Sequence, residues 1–336
     1  MKNQFSTQSF LPKAYSRTKW IIDSFVQQSR NYGIQIAIPS LSWWVGNYSR
    51  ISFFSYWGLK KLTQELDEYF ENKYGSIIKE LNDSKSSDFS NKDKKVETYN
   101  IWWFWWQGEK NAPTLVKSCL NRLRLHNENV IILSKNNINK YVDIPDEIYQ
   151  KVDKGIISYT HFSDILRVSL LAEKGGMWID ATCFVPYTIP KEVSHENFYS
   201  PSTKNIQSLP MWSNSRWCGW NLGTNIQQNP LFIFCRDMLY AINKNEQCLP
   251  HYLILDYLID YAYRKNQQVQ QMISNQVEYN TKRNQLHFLL NSEFGEKIYS
   301  DLIKHDWMFK LSYKTPWKRT VNGNPTFYGK LLDEQL

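Results

Sequence analysis

The rhythm of apolar residues along the chain changes near residue 100. Before it, Trp44, Tyr48, Ile51, Phe54, Leu59, Leu62, Leu66 and Tyr69 recur at helical spacing, with Lys60, Lys61, Glu65 and Glu68 on the opposite side. That pattern predicts a helical N-terminal region. Its aromatic first part, IAIPSLSWWVGNYSRISFFSYWGL, sits among Arg50, Lys60 and Lys61, a composition that suits a membrane interface, although packing on the main domain is the favoured reading. Residues 79–95, KELNDSKSSDFSNKDKK, are nearly free of apolar side chains and read as a linker or loop. The expected division is an N-terminal helical region with its linker, 1–95, and a main domain, 96–336.

In the main domain, strand and helix signals alternate. IWWFWW (101–106) reads as a buried strand, and Pro113 suits the first turn of a helix whose Leu115, Val116, Cys119, Leu120 and Leu123 share a face. NVIIL (129–133) is a second strand, a helical segment follows Asp146 to about Lys151, residues 163–174 form a further helix, and MWID with TCFV gives another strand signal. Such alternation implies an α/β fold with right-handed crossovers, a mainly parallel sheet, and ligands outside the carboxyl ends of its strands.

Candidate chemistry concentrates in SDILRVSLLAEKGGMWIDATCFVP (163–186). Ser163 is the expected helix N-cap, Ile165, Leu166, Val168, Leu170 and Ala172 form the apolar side, and Gly175 or Gly176 turns the helix sharply into a strand. Asp164 and Arg167, three apart, share a face; they form either a surface ion pair or a pair facing a ligand. Asp180 interrupts an apolar run. A buried, unpaired carboxylate costs on the order of several kcal/mol, so Asp180 needs a cation, hydrogen-bond donors or a solvent-filled cleft. At a strand end its partner is a metal or a ribose hydroxyl, or else it is a buried structural hydrogen-bonding group.

Composition narrows the class. The five cysteines are odd in number, scattered and without a C-x-x-C pair, which fits neither a disulfide framework nor a zinc site and suggests a reducing compartment. No run approaches the ~18 apolar residues of a spanning helix, and MKNQFSTQSFLPK lacks a signal-peptide core, so a cytoplasmic protein is expected. A formal net charge of +8 favours anionic partners, and 14 Trp, 21 Tyr and 17 Phe suit stacking on bases and sugars as well as core filling. The Lys and Arg residues are spread along the chain and no nucleic-acid motif accompanies them, which weighs against a nucleic-acid-binding protein.

Taken together, IWWFWWQG, the Ala-Pro pair at 112–113 and HFSDILRVSLLAEKGGMWIDATCFV resemble the capsular polysaccharide synthesis protein family, grouped with retaining, sugar-nucleotide-dependent glycosyltransferases that carry a D-x-D signature. Fungal Golgi mannosyltransferases and bacterial glucosylating toxins share the S-D-x-x-R…G-G-x-[YW]-x-D-x-D core. The resemblance covers residues 100–190 well and the remainder weakly. It implies a glycosyltransferase A-type nucleotide-sugar fold with a Rossmann-like half, and transfer of a sugar, with retention, onto a capsular or other surface polysaccharide. By position, Trp105 matches the aromatic that stacks on the base. Asp164 matches the contact to sugar hydroxyls, Arg167 that to sugar or phosphate, and Trp178 the aromatic beside the donor. Asp180 matches the first D-x-D aspartate, which holds ribose and a metal-bound diphosphate.

Thr182 stands at the second aspartate, so the divalent cation the resemblance implies, Mn or Mg, has Asp180 as its one expected protein ligand and should bind weakly without donor. The implied partners are a nucleotide-sugar donor, a glycan or lipid-linked glycan acceptor and the inner-membrane surface, with no nucleic acid. KHDWMFKLSYKTPWKR (304–319) is either a mobile loop that closes Lys310, Ser312, Lys314 and Trp317 on the diphosphate or a solvated basic tail, with His305 or Asp306 as further metal candidates. SLPMWSNSRWCGWNLGTN (208–225) is an acceptor-binding loop or irregular packing, and HYLILDYLIDYAYR (251–264) an amphipathic helix with Asp256 read as a surface carboxylate rather than an acceptor contact. A noncatalytic, membrane-associated polysaccharide assembly factor is the alternative with the same fold.

Overall fold

Four helices precede the sheet in the computed structural model, which describes residues 10–85, 95–203 and 209–336, with side chains from residue 18 onward. They are α1 (Phe10–Tyr32), α2 (Ile34–Ser49), α3 (Ser52–Lys73) and α4 (Gly75–Asn82). The single apolar rhythm expected from Trp44 to Tyr69 is broken at Arg50, whose left-handed φ of 60° turns the chain into an α2–α3 hairpin. The hairpin closes tightly, because a Cβ at Gly58 would lie 2.4 Å from the Trp43 backbone nitrogen. Leu62, Leu66 and Phe70 of α3 are buried, whereas Tyr48, Ile51, Phe53, Phe54, Tyr56 and Trp57 at the hairpin tip are exposed. The expected linker starts later than residue 79, since α4 runs to Asn82 and buries Leu81; residues 86–94 lie outside the described residues.

The sheet comprises β1 (Ile101–Phe104), β2 (Val130–Leu133), β3 (Gly176–Ile179) and β5 (Asn221–Thr224) in the order β2-β1-β3-β5. The first three run parallel, and β5 is an antiparallel edge. Side chains alternate between its faces. Trp102, Phe104 and Trp178 enter one core with α7 (Tyr159–Glu173), α8 (Pro230–Asn245) and α9 (Ile254–Lys265); Ile101, Trp103, Met177 and Ile179 enter the other, with α5 (Thr114–His126). α6 (Asp146–Asp153) and α10 (Gln267–Ser274) flank the first core, which also takes in Leu62, Leu66 and Phe70 of α3. The N-terminal helices therefore share the sheet's core. Arg264 of α9 grips Asp67 of α3 with two bonds of 2.7 and 2.8 Å, and Asn266 donates to the Leu81 carbonyl at 2.8 Å.

Two short pairings complete the chain. β4 (Cys183–Phe184) pairs antiparallel with β6 (Phe309–Lys310), and β7 (Thr320–Val321) with β8 (Asn324–Pro325), around α11 (Gln285–Leu289), α12 (Glu296–Ile303) and α13 (Phe327–Leu332). MWIDATCFV is thus two strands joined by a turn rather than one run, with the Cys183 N–H donating to the Asp180 carbonyl at 2.9 Å. The helix of the 163–186 stretch begins earlier than expected, at Tyr159, because Ser158 is its cap: the hydroxyl accepts from the His161 N–H. Gly175 and Gly176, with φ of 64° and 87°, make the expected turn into β3, and a Cβ at Gly176 would strike the Asn100 carbonyl oxygen at 2.4 Å.

A candidate active site at the carboxyl ends of the parallel strands

Parallel pairing brings the ends of β1 and β3 to one edge of the sheet, and the start of α7 and the segment entering β5 meet them there. Asp180 follows β3, its N–H donating to the Trp220 carbonyl at 3.0 Å. Its carboxylate is surrounded by donors: Oδ1 accepts from Arg167 Nη2 at 3.1 Å and Trp178 Nε1 at 2.9 Å, and Oδ2 accepts from Lys310 Nζ at 2.7 Å. Arg167 also donates from Nη1 to Asp164 Oδ1 at 2.8 Å, and its guanidinium lies over the Trp178 ring at 5.1 Å. The spacing of Asp164 and Arg167 allowed an ion pair or a site pair. Here the pair exists, and it is joined to Asp180.

Asp256 is the residue that sequence reasoning misassigned. It takes a hydrogen bond from Trp217 Nε1 at 2.8 Å, and a Cβ added to Gly219 would lie 3.7 Å from Asp256 Oδ1 and 3.8 Å from Arg167 Nη1, so the two side chains face one small space. A signal was present in the sequence: residues 254, 255, 257, 258, 259, 261 and 262 are all apolar or aromatic, which leaves α9 little polar face on which to place a carboxylate.

The charges settle unequally. The Asp164 carboxyl is raised to about 7, chiefly by burial, with Arg167 opposing and Asp180 and Asp256 adding to the rise. Burial also raises Asp256, with Trp217 opposing. Burial would raise Asp180 too, yet Lys310 and Arg167 outweigh it and hold this carboxyl below its usual range. Of the three, Asp180 is the carboxyl whose charged form is favoured over its ordinary state. Of roughly four acceptor positions on a carboxylate, Arg167, Trp178 and Lys310 occupy three, leaving room for one further donor such as a sugar hydroxyl.

The other expected site residues divide. Trp105 lies just past β1, its ring edge-on to Tyr313 at 5.7 Å, and its Nε1 is buried with no partner among the described residues. Tyr313, which sequence reasoning passed over, is 39% exposed. Trp178 is buried: it supports Arg167 and Asp180 from beneath instead of facing an opening. Lys310 belongs to β6, not to a loop, and sits 5.1 Å over the Trp220 ring. Ser312, Lys314 and Trp317 form a turn of their own, in which Trp317 Nε1 donates to the Ser312 carbonyl at 2.6 Å and the Lys314 N–H to Ser312 Oγ at 3.2 Å, with Trp317 against His287. Thr182 contributes its carbonyl to the Leu311 N–H at 2.9 Å. His305 is exposed, and Asp306 is buried with its Oδ1 accepting from the Lys282 N–H at 3.0 Å, a structural role. In the 208–225 stretch, of which Ser208 lies outside the described residues, Trp212 and Trp217 are buried in the core and Trp220 lines the site.

A protein-held divalent ion does not fit this donor set. Hard cations take several anionic or neutral oxygens. Asp180 presents its oxygens to an ammonium and a guanidinium, Thr182 adds no charge, and no group of three or more His, Cys, Asp or Glu side chains among the described residues is placed to hold a metal.

The chain is a mixed α/β protein with a parallel-dominated sheet and a carboxylate and guanidinium cluster outside its strand ends. The chain belongs to the capsular polysaccharide synthesis protein family, whose profile matches residues 56–331. That match begins inside α3, upstream of the residue-95 boundary expected from the sequence. No curated protein matches the chain. Among solved structures, one described as "PaToxG Glycosyltransferase" is similar, with a TM-score of 0.32 and 14% identity over 71% of this chain and 95% of that one.

Proposed function

We propose that the protein is a glycosyltransferase that moves a sugar from a nucleoside-diphosphate donor onto a glycan of the capsular or surface type, on a glycosyltransferase A-type fold and with retention at the anomeric carbon. The observation that carries this reading is the joined Asp164–Arg167–Asp180 cluster outside β3, in a chain of the capsular polysaccharide synthesis family. In the reaction the acceptor hydroxyl oxygen bonds to the anomeric carbon and the bond from that carbon to the diphosphate breaks, its electron pair leaving with the diphosphate. The hydroxyl proton passes to the departing phosphate oxygen. Asp180 takes a donor hydroxyl on its free acceptor position, Arg167 reaches the sugar or phosphate, and Trp105 stacks on the base. Trp178 fixes Arg167 and Asp180, while Asp164 and Asp256 face the sugar and the acceptor. Ser312, Lys314, Trp317 and Thr182 border the donor. This placement supplies proximity and electrostatic stabilisation rather than a covalent intermediate.

The acceptor side points to a membrane surface. Tyr252, half exposed, feels the charges of Asp164 and Asp180 as well as Tyr48, and lies edge-on to Trp20 of α1 at 5.9 Å, which brings the Tyr48 end of the hairpin near the site. Residues 24–64 hold Arg30, Arg50, Lys60 and Lys61 and no Asp or Glu, which suits an anionic leaflet. Among the described residues no helix is long and apolar enough to cross a membrane, and the reading is a cytoplasmic enzyme held peripherally beside a lipid-linked acceptor. Incubation with a panel of nucleotide sugars tests the proposal: one donor should release its nucleoside diphosphate in the presence of family-type glycan acceptor, and no release from any donor contradicts it.

A further inference from the structure

We infer that the diphosphate of the donor is held by a set of protein cations, Lys310 and Arg283 beside Arg167, in place of a divalent ion. This rests on the transferase reading for the identity of the diphosphate, and on the cations themselves for its site. Arg283 is 7% exposed, yet its polar partners among the described residues are weak: Nη1 reaches the Asn280 carbonyl at 3.4 Å, and the guanidinium adjoins the Cys218 thiol. Among the described residues it forms no ion pair with a carboxylate, in contrast to Arg167 and Lys310. It acts on the Asp306 carboxyl without forming an ion pair with it among the described residues, and its planar fork of N–H donors matches phosphate oxygens.

The placement directs Arg283 to the same site. Its carbonyl accepts the Lys310 N–H at 2.8 Å, so the two cations leave neighbouring points of the backbone, and Lys310 reaches Asp180. The Cys218 thiol lies in the combined field of Arg283, Asp256 and Lys310, which puts Arg283 on the site side of the segment that carries Gly219 and Trp220. Arg167 and Lys310 thus bracket Asp180, with Arg283 one backbone hydrogen bond away, and their guanidinium and ammonium donors match the oxygens of a diphosphate. Sequence reasoning had no means of finding Arg283, which lies more than 90 residues from the motif that holds Asp180.

Calorimetric titration of inorganic pyrophosphate into the full chain, once in chelator and once in manganese, tests the inference with no donor sugar required. Pyrophosphate should bind in chelator, with affinity changed less than about twofold by manganese. Removing a charged hydrogen-bonding partner is worth about tenfold or more, so Arg283→Gln and Lys310→Gln should each weaken binding by at least about that factor, with Arg283→Lys restoring much of it. Thermal unfolding establishes that each variant is folded, and if Arg283→Gln is not, Arg283→Lys and the wild-type metal comparison still decide. Binding that requires manganese, no binding in either condition, or undiminished binding by a folded Arg283→Gln overturns the inference. Metal-free pyrophosphate binding by a protein that releases nucleoside diphosphate from no sugar donor would leave the cation site standing and remove the transferase reading. Donor turnover with manganese-dependent binding would do the reverse.

Discussion

At Asp164 a carboxyl sits near neutrality because burial outweighs the adjacent Arg167, and Asp180 and Asp256 add to the rise. A pKa of about 7 lies above the unfolded value, so between roughly pH 4 and 7 the folded protein holds a proton that the unfolded chain has released. This group's contribution to stability is accordingly greatest below the unfolded pKa and is lost as pH rises through about 7. Asp256→Asn removes one of the charges that raises it, and the Asp164 titration should move to lower pH. Carbon NMR of aspartate-labelled protein reads this directly; an unmoved titration would mean that Asp256 and Asp164 do not share a field.

At the scale of elements, the α2–α3 hairpin depends on two backbones that approach where only glycine fits. A Cβ at Gly58 would meet the Trp43 nitrogen at 2.4 Å and the Pro39 carbonyl oxygen at 2.7 Å, whereas at Gly75, the start of α4, it would meet nothing within 4 Å. Gly58→Ala should therefore cost about 1–3 kcal/mol and lower the thermal midpoint, while Gly75→Ala leaves it unchanged or slightly raised. Equal midpoints for the two variants would contradict the packing. Elements of this kind were partly legible in the sequence. The α5 face, the β1 and β2 runs and the double-glycine turn follow from periodicity and from glycine's freedom at positive φ, which are local properties. The break at Arg50 was not legible, since apolar residues continue at helical spacing across it and only the partner helix shows which half is buried. Asp180 was found because a carboxylate in a strand-like apolar run is anomalous. Asp256 was not, because the nearly all-apolar sequence of α9 hints at burial but only packing shows that its carboxylate meets Trp217 and faces Arg167.

For the whole molecule, the N-terminal helices serve two surfaces at once. Their inner sides are fastened to the sheet domain by Asp67–Arg264, by Tyr257 and Tyr261 donating to Asp67 and Glu71 at 2.9 Å, and by Trp43 Nε1 donating to the Pro210 carbonyl at 3.0 Å. The tip remains apolar and open, with Phe53 69% exposed. The packing reading thus applies to the inner face of these helices, and the proposed membrane contact is assigned to the exposed tip. Phe53→Ser with Trp57→Ser, at exposed positions, should leave the thermal midpoint unchanged and reduce flotation with anionic vesicles several-fold. Equal flotation of the variant and the wild type would remove the membrane from the account.

The central claim is that the cluster outside β3 holds a sugar nucleotide for transfer, and its most direct measurement is nucleoside diphosphate release from the preferred donor by wild type and by Asp180→Asn. Asparagine keeps the shape of the side chain but removes the charge that Arg167 and Lys310 surround. The account predicts release by the wild type and a loss of about 100-fold or more in a variant that remains folded, the scale seen when a single group stabilising a transition state is removed. A folded Asp180→Asn with undiminished release would contradict it.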